Sequence, residues 1–388
     1  MTGEKLPRGV WILGLVSMLM DISSEMIHSL LPLFMTTSLG MSCLAVGLVE
    51  GLAEAVALMV KVFSGALSDY LGRRKALAVF GYALGALSKP VFALAAWPGV
   101  VLGARLADRV GKGIRGAPRD ALVADLTPPE MRGAAFGLRQ SLDTLGAFLG
   151  PLMAVGLMIL LAGDFRSIFW LAVIPGLMAV VFLAFGLKEP EQKQPAGGRA
   201  FLSWKNLRRL DAAYWSIVFI GASLSLARFS EAFLVLRAER GGLELALIPL
   251  VMVCMNFVYA VCAYPFGRLS DRVSPKLLLA LGVLPLLAAD LILAMDGGSL
   301  LLLTGVGLWG MHLGLTQGLL ASLVAAAAPE DLRGTAFGLF NLASGIAVLA
   351  ASLAAGWLWD SLGYAWTFYA GALFCGLTLL SLAASARR

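Results

Sequence analysis

Residues 129–138 read PEMRGAAFGL, and 200 positions later, with one residue inserted, 329–339 read PEDLRGTAFGL. A weaker pair lies at a similar offset, GALSDYLGRRK at 65–75 and GRLSDRVSPK at 267–276. A chain that returns to the same strings halfway along is built from two related halves, so what one half contains sets the fold of the whole.

Each half is strongly apolar. Of 388 residues, 59% are hydrophobic and 14% charged, and the mean hydropathy is +0.85, against about 45–50% apolar residues in soluble domains. Apolar stretches long enough to cross a hydrocarbon core of about 30 Å recur throughout. The pattern predicts an all-α membrane protein of twelve spans: 10–34, 43–67, 76–96, 98–119, 133–161, 166–187, 212–236, 244–267, 277–295, 299–325, 334–358 and 364–384. Six fall in each half. This organisation gives an N-terminal bundle over 1–187, a linker over 188–211 and a C-terminal bundle over 212–388, the linker carrying the Pro, Gly and Gln content of EPEQKQPAGG. The following FLSWKNLRRL (201–210) reads either as a short interfacial helix or as a basic loop.

The formal net charge of +6 follows topology. With a cytoplasmic N-terminus, twenty basic residues fall on the inner side, among them Arg73, Arg74, Lys75, Arg208 and Arg333, and only Arg166, Arg237 and Arg240 on the outer. The positive-inside rule therefore predicts a multi-pass protein of the cytoplasmic (inner) membrane with both termini inside, and no nucleic-acid partner. Lys5 and Arg8 precede the first span as in a signal peptide, but the run is too long and polar for one, so it is expected to be retained. Cys43, Cys254, Cys262 and Cys375 show neither a disulfide framework nor a thiolate metal spacing. No metal or cofactor is expected, and no catalytic string suggests an enzyme.

GALSDYLGRRK resembles the helix 2–3 loop signature of the major facilitator superfamily, with Gly65, Leu67, Asp69, Gly72, Arg73 and Arg74 matching. The resemblance covers all twelve spans and implies the major facilitator fold, with this loop as a conformational switch. In the fifth span, Gly146, Gly150 and Pro151 of LGAFLGP partly match a signature of exporter branches, Ala154 and Val155 replacing its closing glycines. In the fourth, RLADRVGKG keeps the Arg105 of an exporter motif but has Asp108 and Arg109 where that motif has a polar residue and a glycine. Gly111, Gly113 and Gly116 also spell GxGxxG, but no strand precedes them, so a dinucleotide site lacks its context.

Charges inside spans cost about 2.5–3.5 kcal/mol at mid-bilayer and mark pathways. Here they gather in span 1 (Asp21, Glu25, His28), span 4 (Arg105, Asp108, Arg109, Lys112), span 7 (Arg228, Glu231) and span 10 (His312, Gln317), which in the superfamily fold line the central cavity. Asp21, Glu25 and His28 share one helical face, as do Arg105, Arg109 and Lys112. Depths of about 16 and 22 Å from the inner side for Asp21 and Glu25, and about 15 and 9 Å from the outer side for Arg109 and Arg105, predict pairs Glu25–Arg105 and Asp21–Arg109. Arg139 and Asp143 read as a local pair, Glu50 and Glu54 as an acidic ladder, and Lys89 and Asp290 as snorkelling residues. Spans 6 and 12 carry no internal charge and are expected to face lipid.

These readings converge on a proton-coupled secondary transporter that works as a monomer in the bilayer and exports a small drug or metabolite by alternating access. Uptake of a small organic anion on Arg105, Arg109, Lys112 and Arg228 is the alternative, and a non-transporting sensor on the same scaffold a third.

Overall fold

The computed structural model describes residues 6–71, 73–188, 209–269, 273–316, 318–329 and 332–386. Every regular element among them is helical. The long helices are α1 (Arg8–His28), α2 (Cys43–Leu71), α3 (Arg74–Leu94), α4 (Pro98–Asp125), α5 (Arg132–Leu160) and α6 (Phe165–Gly186), then α7 (Ala212–Ala227), α8 (Ala232–Arg240), α9 (Leu250–Leu269), α10 (Pro275–Leu293), α11 (Gly298–Thr316), α12 (Leu319–Ala327), α13 (Arg333–Leu362) and α14 (Tyr364–Ala386).

Eleven spans among the described residues are long and apolar enough to cross a membrane, α7 with α8 and α11 with α12 each counting as one. The twelfth predicted span, α4, has the length but is too polar to qualify, because Arg105, Asp108, Arg109, Lys112, Arg115, Arg119, Asp120 and Asp125 all sit on it. Its polar side chains are accommodated by protein: Arg105, Asp108, Arg109 and Arg115 are buried. Most of the linker, 189–208, lies outside the described residues.

Helix starts follow local chemistry. The Asp164 carboxylate caps α6, accepting from the Arg166 amide at 3.1 Å and the Ser167 hydroxyl at 2.5 Å. The Ser167 bond holds this exposed carboxyl below the usual carboxylate range. Asp211 caps α7 through the Tyr214 amide at 2.9 Å, and Ser274 caps α10 through Leu277 at 3.3 Å. Pro98 opens α4, where a missing N–H is harmless.

The helices pack as two compact units. The first takes in the described residues of Met1–Leu30 and Met59–Arg199; the second takes in Leu31–Leu58 and those of Ala200–Arg388. The core of the first joins Val10, Leu13 and Met20 of α1 to Tyr82 and Ala86 of α3, Leu122 of α4 and Leu183 of α6. Exposed Ile174, Val181 and Phe185 on α6 give it an apolar outer face, and Leu373, Leu377 and Leu380 do the same for α14 in the second unit. Both helices thus have the exposed apolar surface expected against lipid.

Within the second unit, the N-terminal half of α2 crosses α13 almost backbone to backbone. Added methyl groups at Gly51 and Gly356 would come within 2.9 Å of the Ser352 Cβ and 2.5 Å of the Cys43 carbonyl oxygen. Asp360, on the last turn of α13, accepts from the Cys43 and Leu44 amides at 3.1 and 2.8 Å. A carboxylate from another helix therefore satisfies orphan donors at the start of α2.

Among the described residues, three predicted spans depart from continuous α-helix. After α1, at Ser29–Leu30, the chain resumes as a turn at Leu31–Leu33 and a π-helical turn at Phe34–Ser38, where the Thr36 and Thr37 hydroxyls bond back to the Pro32 and Leu33 carbonyls. The seventh span breaks at Arg228–Ser230 between α7 and α8; Ser352 Oγ accepts the freed Ser230 amide at 3.2 Å, and Ser230 Oγ accepts that of Ala232 at 3.2 Å. The tenth breaks before α12, where Gly318 has φ +76°, a conformation that suits glycine.

Candidate functional site

The first unit brings five of the predicted residues together, in a pattern different from the pairs that depth suggests. His28 stands at the centre. Its Nε2 has the Asp108 carboxylate at 3.4 Å and the Arg105 guanidinium in contact, while its Nδ1 has the Glu25 carboxylate at 3.5 Å and the Arg109 guanidinium at 3.4 Å. Each ring nitrogen thus faces one guanidinium and one carboxylate. Depth alone could not find this, because it ranks residues along the membrane normal and ignores the azimuth that turns both arginines toward the ring.

The cluster extends to a residue that sequence reasoning places elsewhere. Lys89 does not snorkel: it is fully buried, and its ammonium donates to Asp108 at 2.7 Å and to the Ser24 hydroxyl at 3.0 Å. Asp108 consequently faces Lys89, His28 and, at 3.8 Å, Arg105. A signal is present in the sequence, since Ser88, Lys89 and Pro90 interrupt an otherwise apolar helix.

Close helix approach makes this possible. A methyl group at Gly150 would lie 2.7 Å from the Glu25 Cβ and 2.9 Å from the Ile22 carbonyl, and one at Gly146 would lie 3.0 Å from the Asp21 Cβ. The two glycines of α5 therefore seat the acidic face of α1, with Pro151 buried beside them. Gly111 plays a similar part between α4 and α3, where a methyl would lie 2.6 Å from the Gly81 carbonyl. That is helix packing.

A second polar group lies further along α1 and α4. Arg119 donates to Ser17 at 2.9 Å, Ser17 shares a hydrogen with Tyr82 at 3.0 Å, and Arg115 sits over the Tyr82 ring at 4.9 Å. The Arg139–Asp143 pair forms at 2.5 Å and is joined by Arg119 and Asp120 at 3.7 Å. Asp21 is half-buried between the two groups, within electrostatic reach of Asp143, Arg115, Lys112 and Glu25. Lys112 itself is exposed.

Within the loop signature, Gly65 packs toward α4: a methyl added there would lie 3.5 Å from the Ala117 Cβ, and the neighbouring Ser64 donates to the Gly113 carbonyl at 2.9 Å. Arg74 pairs with Asp125 at the end of α4, and Lys75 donates to the Ala184 carbonyl at 2.7 Å. Arg73 immediately precedes α3. Gly72 and the Asp69 side chain lie outside the described residues, as does Gln317.

The remaining candidates belong to the second unit. Arg228 and Glu231 flank the break between α7 and α8, Arg228 within electrostatic reach of Glu231 and Glu54. Glu50, one turn before Glu54, is buried. His312 is fully buried and its Nδ1 donates to the Gly282 carbonyl at 2.7 Å. Asp290, expected to snorkel, is also fully buried.

Long apolar helices, interruptions beside charged residues and ion pairs held inside the protein define the class: a helical membrane transporter scaffold. The chain belongs to the Major Facilitator Superfamily, whose family model matches residues 13–242 and 232–388. Among its relatives is an MFS-type transporter of Methanocaldococcus jannaschii, 33% identical over 97% of this chain and 95% of that protein. A multidrug resistance protein, MdtH, of Photorhabdus laumondii is 32% identical over 42% of this chain and 39% of that protein. A POT family transporter in complex with 5-aminolevulinic acid shares the fold with TM-score 0.82 at 14% identity, over 98% of this chain and 96% of that one. A bacterial homolog of the human lysosomal transporter Spinster, inward-facing and unoccupied, does so with TM-score 0.78 at 15% identity, over 99% and 98%.

Proposed function

We propose that the chain is a proton-coupled secondary transporter that exports a small organic molecule, a drug or a metabolite, by alternating access. The observation that carries this reading is the ring of charges around His28, two guanidiniums and two carboxylates. A neutral imidazole accepts from one arginine; an imidazolium donates from both nitrogens, to Asp108 and to Glu25, and repels Arg105 and Arg109. Proton uptake at His28 therefore exchanges its partners and frees the arginines. Glu25 and Asp108 change their own pairing in the same step, and Asp21 connects this group to the Asp143 cluster. Export is supported by the kinship with a protein named for multidrug resistance and by Gly146, Gly150 and Pro151 at the back of the acidic face.

The protein is read as acting as a monomer in the inner membrane, with both termini and the linker cytoplasmic and with 1–187 and 212–388 as its two bundles. The helix 2–3 loop, with Arg74 held by Asp125, serves as its conformational switch. Arg228, Glu231, His312 and Gln317 contribute to substrate binding.

Reconstitution in proteoliposomes with an imposed pH gradient and a substrate panel tests the reading. Wild type should move a substrate uphill, while H28Q, E25Q and D21N should retain downhill exchange and lose or weaken gradient-driven accumulation. Unaltered proton coupling in all three would overturn it. A second reading, uptake of a small organic anion, draws on the concentration of Lys89, Arg105, Arg109 and Lys112 on α3 and α4. Flux direction in everted vesicles separates the two.

A further inference from the structure

The second unit holds a carboxylate that the α1–α4 cluster does not explain. Asp290 of α10 is 0% exposed, and among the described residues neither of its side-chain oxygens has a hydrogen-bond partner. It is pressed against Gly371 of α14. A methyl group at Gly371 would collide with the carboxylate, and the same methyl would lie 3.1 Å from the Phe229 ring. Phe229 in turn packs on Trp309 and Phe368, with ring centroids 5.2 and 5.6 Å away. The carboxyl group therefore faces backbone and aromatic rings at the break between α7 and α8.

The ionisable groups described on the neighbouring elements are otherwise placed. Arg237 of α8 donates to the Leu293 and Met295 carbonyls at 2.9 and 2.8 Å and lies over the Tyr364 ring of α14 at 4.3 Å. His312 of α11 donates to Gly282, two turns away along α10. Arg228, at the break, lies within reach of Glu231 and Glu54. Lys276 is at the opposite end of α10. Cys375 of α14 is fully buried one turn beyond Gly371.

We propose that Asp290 is a proton-binding site that couples the packing of α10, α14 and the α7–α8 break to pH. A bare carboxylate without a donor is costly in such a place, so the packed arrangement holds the group as the neutral acid. An arrangement in which the break moves and water reaches Asp290 lets the proton go. The packed state then binds one proton more than the opened one, and linkage fixes the sign: falling pH favours the packed state and rising pH the opened one. The site is separate from the His28 cluster and its test uses no substrate, so its failure would leave the transport reading standing, and the reverse holds as well.

The test uses the full chain in proteoliposomes, with Cys43, Cys254 and Cys262 replaced by serine, alone and with D290N. Infrared spectra should show a protonated-carboxyl carbonyl band that D290N removes. The rate at which a small maleimide modifies Cys375 is then measured in both proteins at pH values well below the thiol's titration in either, where both rates carry the same thiolate slope and their ratio isolates the proton linked to Asp290. The ratio of the rate with Asp290 intact to that in D290N should rise with pH by up to about tenfold per pH unit, the slope of one linked proton. An unchanged carbonyl band, or a flat ratio, overturns the proposal. If D290N does not fold, D290E decides: a shifted acid band supports the site, and an unaltered spectrum overturns it.

Discussion

The buried Lys89–Asp108 pair makes the sharpest stability prediction. At 2.7 Å, and with an effective dielectric constant of about 20, the gross attraction is about 6 kcal/mol, but both ions have left water, so most of it offsets desolvation. Deleting one partner uncovers that imbalance, at about 3–5 kcal/mol for a buried pair. The neighbours set the order within this range. Lys89→Met leaves Asp108 facing His28 and Arg105 and should lie near about 3 kcal/mol, whereas Asp108→Leu leaves the ammonium with only the Ser24 hydroxyl among the partners described for it and should lie near about 5 kcal/mol. The double substitution replaces the pair by apolar side chains and should recover much of the loss, as replaced buried pairs often do. Denaturation of the four proteins in detergent, analysed as a double-mutant cycle, reads the coupling directly. Additive losses, or a Lys89→Met protein within about 1 kcal/mol of wild type, would refute the reasoning.

Other consequences concern packing and caps. Gly150→Ala places a methyl 2.7 Å from the Glu25 Cβ and should destabilise the first unit by about 1–3 kcal/mol, seen as a lowered unfolding midpoint, while Gly156→Ala, with nothing within 4 Å, should hold the midpoint or raise it, by up to about 1 kcal/mol. Asp360→Ala removes the carboxylate that accepts from the Cys43 and Leu44 amides at the start of α2 and should cost about 0.5–2 kcal/mol, visible as faster hydrogen exchange at Cys43 and Leu44. Asp164→Ala should cost about 1 kcal/mol through loss of the α6 cap. Because the Asp164 carboxyl is held below the usual range, its contribution is present above the ordinary carboxylate pKa of about 4 and fades as pH falls through the lower folded value. The difference between wild type and Asp164→Ala should accordingly shrink in acid.

Much of the architecture is legible in the sequence because apolar length and the 200-residue repeat report directly on membrane helices. The limits are specific. Apolar length runs through the break at Arg228 because a side chain from elsewhere, Ser352, satisfies the interrupted backbone, and through the one at Gly318 because a single glycine barely alters the mean hydropathy. In the site, periodicity finds the residues of α1 and α4 but not their partners. Spacing fixes a face and rise fixes a depth, but which cation meets Asp108 depends on the rotation of α3, set by contacts such as Gly81 against α4. Lys89 and Asp290 escape the sequence reading for the same reason, since a charge near a helix end snorkels or turns inward according to what its neighbours leave open.

The interruptions at Arg228 and Gly318 also have a mechanical consequence. A continuous helix transmits bending and twist along its length, whereas two rods joined by a few non-helical residues share only position. Among the described residues, the breaks at Arg228 and at Gly318 are two such joints, the first of them adjoining charged residues. Stiff segments on either side of such a joint need not turn together, so a change at Arg228 or Glu231 can be taken up at the joint while the packing of α7 is kept.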